Sequence, residues 1–470
     1  MPKLSHLLNA LDLPWQVLCD LTLAGGCIDS RQAAKDDLFI ALPGENTDGH
    51  LYVDQAFANG AVLALIEHEI KSDFPVLHAD DPDCVTPAEG PFSILVPNAL
   101  EALQKFAAYW REQFDVTVVG ITGSVGKSST KELTASVVSR RLTTLYSHGN
   151  MNNEIGLPLT LLKLTSAHQI VVLEMGFYVP GEIKLLCDIA RPQIGVITNV
   201  GTVHAERAGS IEVIAQGKSE LVEALPPAPL GLAILNYDDP LVKAMASKTK
   251  ARVFTYGLDP EADLWADEIE SMGLDGIRCR MHFQGETNFL TAPLIGRHSV
   301  YTMLRSAAVA LSLGISWDWI FFALKNTPVQ VRVVGVRTAS GALLIDDSYN
   351  ASPDSTLAAL NLLDDLQGRK VAVLGDMLEL GQYEEEGHQK VGLRASEVVD
   401  ELVLIGQRSL TTREAALSVG FRPEKTHWYA DAQSALPYLK QELISGDVVL
   451  VKGSHSMHLE TIVAALEENN

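Results

Sequence analysis

VTVVGITGSVGKSSTK, residues 116–131, is the stretch that decides the fold of this chain. Val116, Thr117, Val118 and Val119 are apolar or β-branched and read as a short buried strand. Gly120, Gly123 and Gly126 give the backbone the freedom that a tight loop needs. Lys127, Ser128 and Ser129 follow, and Leu133, Val137 and Val138 supply an apolar helical face. Strand, glycine-rich loop and helix in that order aim backbone N–H groups and a positive helix end at one point. Such a loop holds phosphate, with Lys127 as a point charge and the Ser128 hydroxyl offered to Mg2+. The spacing is not that of G-x-x-x-x-G-K-[ST], because the first glycine would fall on Ile121 and Gly120 stands one place early.

The bulk composition sets the limits around that loop. A chain of 470 residues has room for about three domains. A hydrophobic content of 47% can fill sizeable cores. The 36 basic and 59 acidic residues give a net charge of −23, which speaks against non-specific binding to nucleic acid or anionic membrane. Any anionic substrate must therefore be met by local cations, N–H groups or metal. Cys19, Cys27, Cys84, Cys187 and Cys279 are scattered without C-x-x-C spacing, so neither a disulfide framework nor a zinc site is expected. The first fifteen residues lack the basic flank and apolar core of a signal peptide, and no apolar run approaches the roughly 18 residues of a membrane span. These readings predict a cytoplasmic protein.

Working outward, the chain divides into three α/β domains. Residues 1–92 form a first unit, with strands expected near Asp37–Leu42 and Ala61–Ile66, a helix over Val53–Asn59, and a Pro- and acid-rich linker over Ala79–Pro91. Residues 93–327 alternate strand and helix around the phosphate loop, with strands that end at Glu174, at Asn199 and at Asn236. Residues 328–470 repeat the alternation, with strands running into Asp346-Asp347-Ser348-Tyr349-Asn350, Gly375-Asp376-Met377 and Lys452-Gly453-Ser454. Polar residues just past the C-terminal ends of parallel strands are where open α/β sheets bind ligands. By position, Glu174, Asn199 to His204, and Asn236 are site candidates. Glu174 could reach a metal beside Ser128, since Mg2+ takes hard oxygen ligands. On composition alone His204 reads more readily as a structural or exposed histidine than as a ligand, and Lys218 reads as an exposed lysine at a helix start. Arg332 and Arg337 are equally consistent with a phosphate-neutralising arginine and with a decorated linker.

Taken together, these residues resemble the Mur ligase family over nearly the whole chain. The resemblance is carried by Asp29-Ser30-Arg31, Thr122-Gly123-Ser124-Val125-Gly126-Lys127-Ser128, and Gly149-Asn150-Met151-Asn152-Asn153-Glu154-Ile155-Gly156. It continues in Glu174-Met175-Gly176, His204, Gly217-Lys218-Ser219-Glu220, Gly296-Arg297-His298, Asp346-Asp347-Ser348-Tyr349-Asn350-Ala351, Gly375-Asp376-Met377 and Lys452-Gly453-Ser454. The loop then has the family's TGxxGK[ST] spacing.

The resemblance implies an N-terminal domain for a UDP-linked substrate, a central P-loop-like ATPase domain with a mostly parallel sheet, and a C-terminal Rossmann-like domain. It implies the family activity that adds D-alanyl-D-alanine to UDP-MurNAc-tripeptide through an acyl phosphate, a step of peptidoglycan and cell-wall synthesis tied to cell shape and division. A sister Mur or folylpolyglutamate-type ligase, or a non-catalytic ATP-binding partner subunit, are the alternatives.

The implied cofactors are ATP, a pair of Mg2+ ions and a CO2-derived carbamate on Lys218. The nucleotide would meet Thr122 to Ser129, Asn236, His298, Arg332 and Asp347, and the metal would be held by Ser128, Glu174, His204 and Lys218. Lys127, Lys218, His204, Glu174 and Arg332 are the implied catalytic set. Ser30, Arg31, Thr47, Gly49 and His50 would face the UDP-sugar, and Asn150, Asn152, Asn153, Tyr349 and Asn350 the substrates. No nucleic acid or membrane partner is expected, and the protein is expected to be a monomer. The third residue of the tripeptide, diaminopimelate or lysine, stays open. Ser299 and Thr302 stand where the family has asparagine, Val331 where it has glycine, and His455 where it has arginine.

Overall fold

In the computed structural model, residues 1–44, 47–329 and 334–467 are described. They form two compact units. The first is Met1–Gly120 with Leu142–Gly176 and Gly181–Ile194, and the second is Ile121–Arg141 with Phe177–Pro180 and Gly195–Asn470.

The first unit opens with a five-stranded sheet of β1 (Gly26–Cys27), β2 (Leu38–Ile40), β3 (Leu63–Ile66), β4 (Val76–His78) and β5 (Phe92–Leu95) in the order β1-β2-β3-β5-β4. Every pairing is parallel. β2 and β3 are buried along their whole length, as the unbroken apolar runs of strands covered on both faces require. The boundary expected at residue 92 falls at the start of β5, an inner strand of this sheet. The Pro- and acid-rich stretch before it is tied back at Thr86, which is buried, its N–H donating to the Gln16 carbonyl and its hydroxyl accepting from the Leu18 N–H.

The helix Ala99–Glu112 follows, capped by the Asn98 carboxamide, which accepts from the Glu101 N–H at 2.7 Å. Its buried face, Leu103, Phe106, Ala107 and Trp110, ends in Arg111, only 6% exposed. Arg111 donates to the carbonyls of Ala190, Phe114 and Val116 at 2.9, 3.0 and 3.1 Å. One buried cation thus satisfies three chain ends that no strand or helix pairs.

A larger sheet holds β6 (Thr117–Thr122), β7 (Thr144–Tyr146), β8 (Ile170–Glu174), β9 (Ile194–Ile197), β10 (Leu232–Asn236), β11 (Arg252–Gly257), β12 (Leu264–Ser271), β13 (Ile277–Phe283) and β14 (Glu286–Ala292). Its order is β14-β13-β12-β11-β10-β9-β6-β8-β7. β7–β8, β10–β11 and β11–β12 pair in parallel, whereas β12–β13–β14 is an antiparallel meander that the sequence reading left out. The meander starts with Leu264 and Ala266 buried, is exposed from Glu286 to Phe289, and ends with Leu290 and Ala292 buried.

The C-terminal residues build a six-stranded sheet from β15 (Val334–Arg337), β16 (Leu343–Asp346), β17 (Arg369–Gly375), β18 (Glu401–Ile405), β19 (Thr426–Tyr429) and β20 (Asp447–Lys452), in the order β15-β16-β20-β17-β18-β19. All pairings are parallel except β15–β16. One face packs Leu360, Leu363 and Ala395 against Leu402 and Leu450, and the other packs Ala435, Leu439 and Ile462 against Val403 and Val449. This is the doubly wound arrangement expected of a Rossmann-like domain.

Arg111→Met keeps most of the apolar stem but strands three carbonyls, a loss of about 2 kcal/mol by the usual cost of unsatisfied buried groups. The melting temperature should fall by several degrees in a thermal scan; an unchanged transition would show that the three contacts are dispensable.

Candidate active site

β6 delivers the phosphate loop. Gly123 takes φ +144° and Gly126 φ +83°. A Cβ at Gly123 would overlap the Thr198 hydroxyl, so no other residue fits there. The loop is held from one side by residues 198–201. The Ser124 N–H donates to the Asn199 carbonyl at 2.9 Å, the Val125 N–H to the Asn199 Oδ1 at 2.8 Å, and the Thr198 hydroxyl to the Val125 carbonyl at 2.7 Å. The Gly201 N–H donates to the Ser124 Oγ at 2.8 Å. Lys127 Nζ folds back onto the carbonyls of Gly123 and Ser124, at 2.8 and 3.2 Å. The helix Lys127–Val138 starts at this point, carrying Ser128 and Ser129 in its first turn, and Thr130 Oγ1 donates to the Gly126 carbonyl. Asn236, at the end of β10, donates through Nδ2 to the Thr198 carbonyl at 3.1 Å. It supports the loop's buttress from below.

Lys218 lies on the helix Ile211–Glu223 and is 1% exposed. Its Nζ stands 4.8 Å from the centre of the Phe177 ring, and no carboxylate pairs with it among the described residues. Burial, helped by the charge of Lys127, holds its amine well below the ordinary lysine pKa. Gly217 is what lets the helix approach Phe177, since a Cβ there would overlap the ring. His204, at φ +66°, has Nδ1 2.6 Å from Glu379 Oε2 and its ring edge-on to Tyr178 at 4.6 Å. Burial and the positive charge of Lys127 push the His204 imidazole down to about 4, against the pull of Glu379. Near pH 7 the ring is therefore neutral, with its proton on Nδ1 facing the carboxylate and a lone pair left on Nε2.

The first unit carries the other expected residues. Glu174 ends β8 almost wholly buried, its Oε1 accepting from Asn152 Nδ2 at 2.9 Å and its Oε2 without a hydrogen-bond partner among the described residues. An orphaned buried carboxylate oxygen suits a hard cation. Asn153 Oδ1 accepts from the Gly156 N–H at 2.9 Å and so caps a helix start, while Asn150 is exposed. Ser30 donates to Gln55 Oε1 at 2.8 Å, and Arg31 forks onto Asp29 with its side chain 81% exposed. Thr47 meets the Tyr52 hydroxyl at 3.1 Å. The Gly49 N–H donates to the Leu42 carbonyl. His50 is buried, its Nδ1 2.5 Å from Asp48 Oδ1 and its Nε2 accepting from the Glu67 N–H at 2.8 Å. Both ring nitrogens are engaged, so His50 organises this loop. The same pairing leaves the Asp48, His50 and His68 cluster without a free His50 nitrogen for a metal.

In the C-terminal residues, Asp347 pairs with buried Lys452 at 2.7 Å, and Lys452 Nζ also donates to the Asn350 carbonyl at 2.8 Å. Tyr349 lies 5.6 Å, ring to ring, from His455. His298, just ahead of the helix Ser299–Ser312, has its imidazole pKa lowered by burial, against the nearby Asp347 charge. Arg332 lies outside the described residues.

The likeness to known proteins runs along nearly the whole chain. The Mur ligase family catalytic domain matches residues 23–111, the Mur ligase middle domain 121–310, and the Mur ligase glutamate ligase domain 332–455. The UDP-N-acetylmuramoyl-tripeptide–D-alanyl-D-alanine ligase of Synechocystis is 35% identical over 96% of this chain and 93% of its own, and that of Escherichia coli 34% over 96% and 95%. A crystal structure of MurF from Acinetobacter baumannii superposes with TM-score 0.84 at 30% identity, over 98% of both chains. MurF from Thermotoga maritima, solved with ADP, gives 0.78 at 27%, over 95% and 97%.

This chain belongs to the Mur ligase family.

Several residues of this Mur ligase that the geometry brings forward carry weak sequence signals. Phe177 closes off Lys218 but reads as one more apolar residue past a strand end. Glu379 reaches His204 from 175 positions away. Arg305, an arginine among Met303, Leu304, Ala307 and Ala308, is a charge on an apolar helix face, and that pattern is visible in the sequence. For Gly217→Ala, the displaced ring and lysine should cost the ligase about a hundredfold in turnover, with the fold retained by circular dichroism. Wild-type turnover in that variant would separate the Phe177–Lys218 packing from activity.

Proposed function

We propose that this chain joins D-alanyl-D-alanine to the terminal carboxylate of UDP-MurNAc-tripeptide, converting ATP to ADP and phosphate. The observation that carries the reading is the unbroken likeness, over 96% of the chain, to ligases that bear this name. The site chemistry is consistent with it. The γ-phosphoryl group of ATP moves to the carboxylate oxygen and gives an acyl phosphate. The dipeptide amine then attacks the carbonyl carbon, and the tetrahedral intermediate collapses to an amide and free phosphate. Loop N–H groups and Lys127 bind and orient the phosphates, and a dry site protects the acyl phosphate from water.

Magnesium, when bound, neutralises phosphate charge, and Ser128, His204 and Lys218 as its carbamate are the residues of the second unit proposed to hold it. Glu174 is proposed for the same task from its unpaired oxygen. Carbamate formation is chemically balanced: the neutral amine of Lys218 adds to CO2 and loses one N–H proton. Asn236 and His298 are proposed by the adenine, Asp347 by the ribose, and Arg332 by the phosphates. Ser30, Arg31, Thr47 and Gly49 are proposed on the UDP-sugar side, and Asn150, Asn152, Asn153, Tyr349 and Asn350 toward the acceptor substrates. The reaction is placed in the cytoplasm and the protein taken as a monomer. Among the described residues no helix is long and apolar enough to cross a membrane.

Sister ligases are disfavoured, since a diaminopimelate-adding relative and a folylpolyglutamate synthase share the fold at only 16% and 14% identity. Phosphate release by the purified chain with ATP and Mg2+ should require UDP-MurNAc-tripeptide and D-alanyl-D-alanine together. Equal release with glutamate or diaminopimelate as acceptor, or with neither substrate, would overturn the assignment. Varying the third tripeptide residue between diaminopimelate and lysine in the same assay fixes the remaining specificity.

A further inference from the structure

Arg305 is a buried cation that the scheme above leaves without a task. It sits on the inner face of the helix Ser299–Ser312 and is 5% exposed. Its recorded partners are all neutral. Nε donates to the Tyr301 carbonyl at 2.8 Å, Nη2 to the Thr302 hydroxyl at 3.3 Å, and the guanidinium lies 5.8 Å from the centre of the Tyr256 ring. No carboxylate pairs with it among the described residues. The nearby carboxylates are turned elsewhere: Asp238 accepts from the Tyr301 hydroxyl at 2.8 Å and from the Leu258 N–H, while Asp239 accepts from the Val200, Leu241 and Val242 N–H groups.

A guanidinium out of water with only neutral partners is an unfavourable arrangement unless an anion completes it. The guanidinium is aimed at the phosphate loop. A Cβ built on Gly126 would stand 3.2 Å from Nη1 and 3.4 Å from Nη2 of Arg305. Gly126 is the left-handed residue on which the helix Lys127–Val138 starts, so the charge is set against the point where the loop's N–H groups and the helix dipole converge.

We propose that Arg305 is a positioning residue for the nucleotide: it holds a fixed positive charge against Gly126, and the phosphate chain of the bound nucleotide is the anion that compensates it. The inference rests on the reading of the loop as a nucleotide site. It makes two demands of opposite sign. Without nucleotide the charge is uncompensated, so removing it does not weaken the fold; with nucleotide its removal weakens binding.

The experiment uses the full chain and Mg·ADP. Calorimetry should show Arg305→Met binding Mg·ADP about tenfold more weakly than wild type, with Arg305→Lys between the two. The melting temperature of Arg305→Met without nucleotide should equal or exceed that of wild type, and its nucleotide-induced rise should be smaller. Mg·ADP affinity of Arg305→Met within twofold of wild type overturns the proposal. So does a lower melting temperature with the nucleotide-induced rise intact, the mark of a purely structural arginine. Should Arg305→Met not fold, Arg305→Lys and Arg305→Gln decide, since equal affinities in that pair contradict a role for the charge. Failure of the wild-type chain to bind Mg·ADP would instead strike the nucleotide reading itself.

Discussion

A lysine amine without water around it, close enough to a second lysine to feel its charge, is the constraint on which this site depends. As an ammonium ion, Lys218 has an aromatic face at 4.8 Å and no anion among the described residues. Burial and Lys127 both favour the neutral amine. A neutral, dry amine is a nucleophile, and the proposed addition to CO2 would turn a repelled cation into an anion that Lys127 attracts. The surroundings follow from this requirement. Gly217 has no side chain because Phe177 must lie against the helix, and Phe177 in turn keeps water from the amine. His204 is held neutral by the same burial and by the same Lys127 charge.

The second dependence runs between distant parts of the second unit. Residues 379–383 seat on residues 204–211: Glu379 meets the His204 ring, the Glu206 N–H donates to the Glu379 carbonyl at 3.1 Å, and Gln382 donates to the Gly209 carbonyl at 3.1 Å. The Ile211 N–H donates to the Tyr383 hydroxyl, and Gly381 lies so close to Glu206 that a Cβ would crowd its backbone. His204 and Glu379 both hold left-handed backbone conformations that non-glycine residues adopt at a cost. The Glu379 carboxylate, 2.6 Å from Nδ1, is the group that favours the imidazole proton there. The C-terminal domain thereby takes part in orienting a group of the central one, which fits a ligase that must bring its reactants together in one closed place.

Much of this was legible in the sequence because the deciding features are local. Strand, glycines, lysine and helix are contiguous in residues 116–131, and the strands ending at Glu174, Ile197, Asn236 and Asp346 were visible as apolar runs that stop at or just before polar residues. What was hidden depends on partners far along the chain. Asn153 and His50 stand out by residue type, but the sequence gives no sign that Asn153 bonds to a helix start or that His50 joins Asp48 to the Glu67 backbone. Phe177 and Glu379 acquire meaning only once folding sets them against Lys218 and His204. The stretch Ala79–Pro91 has the composition of a linker, but Thr86 bonds back to residues 16 and 18, and β5 beyond it lies between β3 and β4. The β12–β14 meander escaped because its outer positions, from Glu286 to Phe289, are exposed and mix charge with aromatic surface.

The central claim is that Lys218 acts as an anion. Nuclear magnetic resonance of the full chain in [13C]bicarbonate addresses it without reference to turnover. The account predicts a slowly exchanging carbamate carbon signal in the wild-type protein that disappears in Lys218→Ala. Absence of that signal in the folded wild type, or its persistence in the variant, would contradict it.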